Sequence, residues 1–392
     1  MSGTTGKRSL EVVGAGLDSV DRITSSPVRR VIVSFLLLVV ALAGCTSSDP
    51  AGQPTPSPSP TPSSPSPTPT PAPPLLAPLT GLRLASASIL KRPALAIKID
   101  NHTGARPQVA LDRADIVYEE PVEGGITRFI AIFHSRDAGT VGPVRSARLT
   151  DLDVLAEYGR PLLSFSGAAS YVLRSIRKAN LVSLPHGAYG SIYRRNSSNW
   201  VAPHNLFTST VSLWRVARDR HTSPAPRKFT YGALLPPPPV PQPSASPGAT
   251  STPAPVIARW PSGRSVTVPF GGAWTARWRY DARLGRYVRF HASRPHRLLN
   301  GTQVNAANVL IMRVGLQKRS LAAAAHGTPE LALVGSGEAV LLRNGVRIVG
   351  RWSRARLHAP TVFTDKLGRP MMFNPGVTWV ELVPTKIKPR YA

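Results

Sequence analysis

Apolar and polar residues alternate with a period of two in three stretches of the first half of the chain, and this period is typical of β-strands. The stretches are 94–100, 116–119 and 126–133. Apolar residues recur at helical spacing in 150–158, 171–178 and 208–218. Alternating strands and helices predict an α/β (α+β) N-terminal domain with a mixed sheet and flanking helices.

The second half of the chain has the strand period almost throughout. Asn344-Gly345 separates two apolar stretches and predicts a type I′ hairpin. The predicted strands are 275–280, 286–290, 304–314, 338–342, 346–351, 361–363, 371–373 and 378–383. These strands predict a smaller, β-rich C-terminal domain.

Two segments have no apolar period and are rich in proline and small polar residues, namely 45–77 and 234–256. Such a composition cannot bury a core, and proline keeps the chain extended. The first segment is therefore predicted to be a tether and the second an insert. The insert divides the remainder into an N-terminal domain at 78–233 and a C-terminal domain at 257–392.

The beginning of the chain has the pattern of an export signal. Arg29 and Arg30 precede an apolar run at 31–43, which suits a signal-peptide core and is short for a membrane span. The run ends in Leu42-Ala43-Gly44-Cys45, which resembles the lipobox of bacterial lipoproteins. Residues 1–44 are thus predicted to be a leader and lipoprotein signal peptide. A lipid on Cys45 would anchor the protein to the outer face of the plasma membrane; a plain signal peptide or short membrane anchor is the alternative.

Composition restricts the chemistry. Cys45 is the only cysteine, so an intramolecular disulfide is excluded, and the nine histidines form no HExxH pattern. No glycine-rich phosphate loop occurs, and the turn at Ser166 lacks the GxSxG pattern of a nucleophile elbow. We therefore predict neither a metal site nor a cofactor.

The chain is strongly basic, with a formal net charge of +28, and residues 257–392 contain 22 Lys and Arg against 5 Asp and Glu. Such a charge attracts anionic surfaces and polymers. An anionic envelope polymer or anionic lipid headgroups are the expected partners, since export argues against nucleic acid. A solvated basic face without a ligand is the alternative, and the sequence indicates no protein partner.

Several strings resemble one family. They are RPALAIKIDNHTGARPQVALDRADIVYEEPVEGGITRFIAIFHS at 92–135, GPVRSAR at 142–148, PHNLF at 203–207 and, less sharply, the C-terminal NVLIM, GSGEAVLLRNG and NPGVTWVELVP. The chain is similar in these strings to the YerB-like family of bacterial lipoproteins, whose two domains have no known function. The insert at 234–256 departs from the family pattern. The resemblance implies a lipid-anchored envelope protein and supplies no established activity.

Polar residues near the predicted sheet form the first candidate site: Asp100, His102, Glu119, Glu123 and Arg128. Alternation places Arg128 on the same side as buried aliphatic residues, where an unpaired charge is costly. Glu119 and Glu123 are its nearest carboxylate partners by sequence. Either the group forms a polar site, or it is an ion-paired cluster that fixes the sheet.

Two further candidates lie in loops. Arg145 and Arg148 precede the helix predicted at 150–158, where backbone N–H groups and guanidinium groups together suit a phosphate or carboxylate. Pairing with Asp151, Asp153 or Glu157 is the alternative. His204 and Asn205 follow Pro203 and would either line a cleft or cap the next helix.

These observations favour an extracytoplasmic lipoprotein that binds or scaffolds an anionic envelope component. One alternative is an envelope hydrolase that acts on cell-wall glycan through Asp100, Glu119 or Glu123. The other is a structural protein–protein interaction lipoprotein without a small ligand.

Overall fold

The computed structural model describes residues 74–238, 259–271, 274–318 and 320–392. The predicted leader at 1–44, Cys45, and most of the tether and of the insert lie outside these residues. The α-helices within them are α1 (Leu149–Leu155), α2 (Ser170–Lys178), α3 (Thr210–Val216) and α4 (Leu321–Ala325). None of these helices is long and apolar enough to cross a membrane.

Strands from both halves of the chain make up most of the regular secondary structure of the described residues. Those of the first half are β1 (Leu95–Asp100), β2 (Ile116–Pro121), β3 (Thr127–Phe133), β4 (Leu162–Phe165), β5 (Val182–Pro185), β6 (Arg194–Arg195), β7 (Leu206–Phe207) and β8 (Thr230–Tyr231). Those of the second half are β9 (Ser265–Gly271), β10 (Trp274–Asp281), β11 (Arg286–His291), β12 (Arg294–Pro295), β13 (Asn305–Ala306), β14 (Asn308–Gln317), β15 (Glu330–Ala332), β16 (Gly335–Arg343), β17 (Val346–Arg354), β18 (Val362–Asp365), β19 (Met372–Phe373), β20 (Thr378–Pro384) and β21 (Arg390–Tyr391). The predicted fold class, a mixed sheet with flanking helices followed by a β-rich region, is confirmed.

The largest sheet has the strand order β18-β17-β16-β14-β20-β2-β3-β1-β4-β5, with β15 paired to β14. Its central strands β2 and β20 are parallel, with Ile116 opposite Thr378 and Glu119 opposite Glu381. Because these strands come from the two halves of the chain, one continuous hydrogen-bonded sheet joins both halves. The sequence patterns gave no indication of this pairing.

A second sheet, with the order β12-β11-β10-β9-β21 and β13 paired to β11, comes from the second half alone. Its buried residues, including Val266 and Trp278, pack with Ile97 and Phe129 of the large sheet. The other face of the large sheet packs against α1 and α2. The described structure thus has three layers, with helices and a smaller sheet on opposite faces of the large sheet.

The hairpin predicted at Asn344-Gly345 joins β16 and β17, and both turn residues have positive φ, +51° and +75°. Helix α1 begins with Leu149, and the Asp151 carboxylate accepts the Arg148 backbone N–H at 2.7 Å. The N-terminus of α1 therefore binds its own aspartate. This differs from the free N–H groups that the sequence led us to expect there.

Candidate functional site

Asp100, the last residue of β1, lies at the centre of a group of cationic side chains. Its side chain is almost fully buried, and it stands opposite Arg128 of β3. Its Oδ2 lies 2.7 Å from His204 Nδ1 and 3.1 Å from Arg145 Nε. Its Oδ1 accepts the backbone N–H of His102 at 3.0 Å. The structure thus brings together candidates that the sequence placed in three separate segments.

The two histidines of the site stack on each other. The rings of His102 and His204 are 4.4 Å apart and inclined by 7°. Gly104 donates its N–H to His102 Nδ1 at 3.1 Å, and a Cβ at Gly104 would lie 3.2 Å from the His204 ring. Burial and the neighbouring His204 lower the pKa of His102 below its ordinary value. At neutral pH His102 is therefore uncharged.

Arg128 is a buried cation that forms no ion pair with a described carboxylate, although Asp100 and Glu123 lie near enough to favour its charged form. It is 6% exposed, and its Nη1 donates to the Ser146 carbonyl at 3.2 Å. Its Nε has no hydrogen-bond partner among the described residues, and none of their carboxylates forms an ion pair with it. Burial, and the positive charge of Arg148, lower the pKa of Arg128 to about 10. Arg128 remains charged at neutral pH.

The two loop arginines differ in how fully they are bonded. Arg145 Nε is close enough to Asp100 for an ion pair, but it is not aligned for a hydrogen bond. Arg148 binds Glu123 through Nε at 2.7 Å and Nη2 at 2.6 Å, and Thr328 also hydrogen-bonds to Glu123. Burial opposes ionisation of Glu123, but these hydrogen bonds outweigh it and lower its pKa to about 2.

Glu119 lies on the other face of the sheet, so it does not pair with Arg128 as the sequence suggested. Successive side chains of a strand point to opposite faces, and β2 presents Glu120, not Glu119, on the face of Arg128. Glu119 accepts from Thr127 at 2.7 Å and from Arg289 at 2.6 Å. Glu123, the second expected partner, is bound by Arg148 instead.

Asn205 is separate from the cluster, although its neighbour His204 belongs to it. Its Oδ1 accepts from Arg195 at 2.7 Å, and its Nδ2 donates to Ser197 at 3.1 Å. Asn205 is buried and fixes its own loop, which holds His204 in place.

A buried polar chain that the sequence did not reveal supports the site from the second sheet. Arg289 Nη1 lies 2.9 Å from His296 Nδ1, and His296 Nε2 lies 2.8 Å from Gln108 Oε1. Gln108 in turn donates to the Asp100 carbonyl at 3.0 Å. Burial and the charge of Arg289 lower the pKa of His296 far below its ordinary value, so its ring is neutral. Among the sequence patterns, only the polar residues at 100–108 indicated part of this hydrogen-bonded series.

The site therefore combines three arginines, Arg128, Arg145 and Arg148, with two carboxylates, those of Asp100 and Glu123. We call these three arginines the arginine cluster. In the described part of the chain no group of three or more His, Cys, Asp or Glu residues is arranged to hold a metal ion. The three guanidinium groups offer positive charge to an anion, while the Nε atoms of Arg128 and Arg145 are buried and make no hydrogen bond to the described residues.

The sequence of the chain matches models of a known protein family. The N-terminal domain model of the protein of unknown function DUF3048 matches residues 79–223, and the C-terminal domain model matches residues 266–380. A protein named "Putative lipoprotein YerB" from Bacillus subtilis (strain 168) is 55% identical over 74 residues, which is 19% of this chain and 22% of the relative. The match thus spans about a fifth of the relative's length.

A solved structure shows the same fold. The crystal structure of the YerB protein from Bacillus subtilis superimposes with a TM-score of 0.66 and 24% sequence identity, covering 81% of this chain and 99% of that one. The two domain models together cover about two thirds of the chain. The chain belongs to the two-domain DUF3048 family, whose function is unknown.

Proposed function

We propose that the protein is a lipid-anchored lipoprotein of the outer face of the plasma membrane, and that its arginine cluster binds a phosphate or carboxylate group of an envelope component. The observation that carries this proposal is Arg128, a buried arginine with a free Nε and no carboxylate partner among the described residues. A buried unpaired charge is costly. A ligand anion would supply the missing partner.

The surroundings of Arg128 support an anion over other ligands. Arg145 is ion-paired with Asp100 through Nε, but its side chain is 22% exposed, so the outer part of its guanidinium group can reach a ligand from solvent. His204, 17% exposed, can donate a further hydrogen bond when its ring is protonated. A guanidinium group binds phosphate and carboxylate oxygens through two parallel N–H bonds, which makes this set of side chains specific for such groups.

The alternative hydrolase has weaker support. Glycan hydrolysis by two carboxyl groups needs one of them protonated as the acid. Glu123 has a pKa of about 2 and is ionised at neutral pH, while Glu119 is buried and bonded to Arg289. Asp100 is buried beneath Arg145 and His204. None of the three is an accessible acid, which favours binding over hydrolysis.

The anion site predicts opposite effects of Arg128→Met on binding and on stability. Binding of inorganic phosphate should weaken at least about tenfold, because a charge-assisted hydrogen-bond donor is lost. The free energy of unfolding should stay the same or rise, since the substitution removes an unpaired buried charge. Isothermal titration calorimetry, with acetate as the carboxylate probe, and urea unfolding measure the two effects.

Arg277→Met is the matched control, because Arg277 is an exposed arginine on β10 of the second sheet. It should leave phosphate binding unchanged at physiological ionic strength. A loss of several kcal/mol of stability in Arg128→Met with unaltered phosphate binding would show that Arg128 is a structural residue.

The anchor is tested through Cys45. The wild-type protein should partition into detergent and incorporate labelled fatty acid, because acyl chains provide the anchor. Cys45→Ala should be released or remain unprocessed and should carry no label. A mutant that fractionates with membranes and carries as much label as the wild type would contradict lipidation at this residue.

A further inference from the structure

An apolar groove lies on the helical face of the molecule, and it begins at Leu149, the residue after Arg148 of the arginine cluster. Its volume is about 440 Å³, and it lies along α1 and the end of α2. Its apolar lining includes Leu149, Leu152, Leu155, Leu181 and Leu357. A groove of this composition is a place where apolar groups of another molecule can be buried.

The rim of this groove exposes large apolar side chains. Leu321, the first residue of α4, is 91% exposed and directly follows Ser320, which lines the groove. Leu357 both lines the groove and is 38% exposed. Leu357 in the lining and Leu321 next to it in the rim thus add exposed apolar side chains to an apolar groove, in contrast to single leucines scattered over a surface.

Exposed basic side chains lie on the chain segments that border this groove. Arg174 and Lys178 are exposed one turn apart on α2, and Lys178 lines the groove. Lys318 and Arg356 are also exposed, and they precede the rim residues Leu321 and Leu357 in the chain. Within the described residues these four cations form no ion pairs. Asp153, the acidic residue of the lining, is only 4% exposed and is hydrogen-bonded by Gln317.

We propose that this surface is the face with which the protein rests on an anionic lipid bilayer. The four basic residues complement the phosphate groups of anionic headgroups, while Leu321 and Leu357 enter the boundary between headgroups and acyl chains. The lipid anchor proposed at Cys45 would hold this surface close to a membrane.

The test uses the mature chain with Cys45→Ala, so that binding does not depend on the acyl chains. Vesicles of phosphatidylcholine, with and without phosphatidylglycerol, are the probe in a sedimentation assay. The protein should bind the vesicles that contain phosphatidylglycerol, and Leu321→Ser with Leu357→Ser should weaken this partitioning about tenfold. Leu284→Ser is the control, because Leu284 is 58% exposed in the turn after β10. It should have no effect.

The lack of other cysteines allows a direct measurement of contact. An environment-sensitive fluorophore on Leu321→Cys should shift to the blue with anionic vesicles, and the same label on Leu284→Cys should not. Arg174→Gln with Lys178→Gln should reduce binding to phosphatidylglycerol vesicles and lower its dependence on salt.

Three outcomes would overturn the proposal: no vesicle binding at low salt, equal shifts at the two labels, or serine variants that bind like the wild type. The variant with Leu321→Ser and Leu357→Ser, which changes no residue of the arginine cluster, should bind inorganic phosphate like the wild type. The arginine cluster and the bilayer face are therefore tested independently.

Discussion

Replacing Lys98 with methionine is expected to destabilise the protein by about 3–5 kcal/mol, because two buried carboxylates would lose the cation that both of them bind. Lys98 Nζ lies 2.6 Å from Asp151 and also binds Glu120, and all three side chains are essentially inaccessible to solvent. Urea unfolding at pH 8 measures the loss. Lys91→Met, which removes an exposed lysine, is the matched control and should change the stability by less than about 0.5 kcal/mol.

The same cluster predicts how this loss depends on pH. Burial raises the pKa of Glu120 to about 7; Lys98 lowers it and Asp151 raises it. The folded protein thus binds this proton more tightly than the unfolded chain, whose glutamate has a pKa of about 4.5. The contribution of Glu120 to stability is complete below that value and is lost as the pH rises through about 7.

Lys98→Met should therefore cost more at pH 8 than at pH 5, where protonation of Glu120 removes one of the two negative charges that the lysine balances. Combining it with Glu120→Gln and Asp151→Asn should recover most of the stability, because neutral amides need no counter-charge. If Lys98→Met loses the same stability at both pH values, and the triple variant recovers none of it, the loss comes from packing and not from charge.

The sequence pattern located these residues but not their partners. Period-two alternation correctly placed Lys98 and Asp100 on one face of β1, because alternation depends only on local geometry. The partners of Lys98 lie 22 and 53 residues further along the chain. The order of strands decides which of several acidic residues comes near, and that order is set by long-range pairing.

For Arg128 too, the sequence predicted the position of the residue but not its partners. Its burial followed from its position among aliphatic residues of β3, but the choice of Glu119 as a partner required both residues to share a face. Contacts between the large sheet and the second sheet were still harder to predict from the sequence. Arg289, which binds Glu119, is 170 residues away on β11, and no local pattern relates the two. Strands were predicted well, whereas the pairing of β2 with β20 and the polar chain to Asp100 were not.

The second large effect is expected at Arg289, where the two halves of the chain meet. Its side chain is 1% exposed, donates to Glu119 at 2.6 Å, and lies 5.3 and 5.4 Å from the ring centres of Trp379 and Phe129. Glu381 hydrogen-bonds to Glu119, and burial, together with the charge of Glu119, raises its pKa far above the ordinary value. Glu381 is therefore neutral, and Arg289 balances the single negative charge of Glu119.

Arg289→Met is expected to lower the free energy of unfolding by about 3–5 kcal/mol, since Glu119 would remain buried without its cation. Glu119→Gln alone should also destabilise, by leaving Arg289 unpaired. The double variant should lose less than the sum of the two, and the difference in this double-mutant cycle measures the coupling between the halves of the chain. Additive losses would contradict a direct interaction. Arg289 also contacts His296, which is bonded through Gln108 to the backbone of Asp100. Phosphate binding by the folded fraction of Arg289→Met should therefore weaken. Unaltered phosphate binding would show that the arginine cluster keeps its geometry without this support.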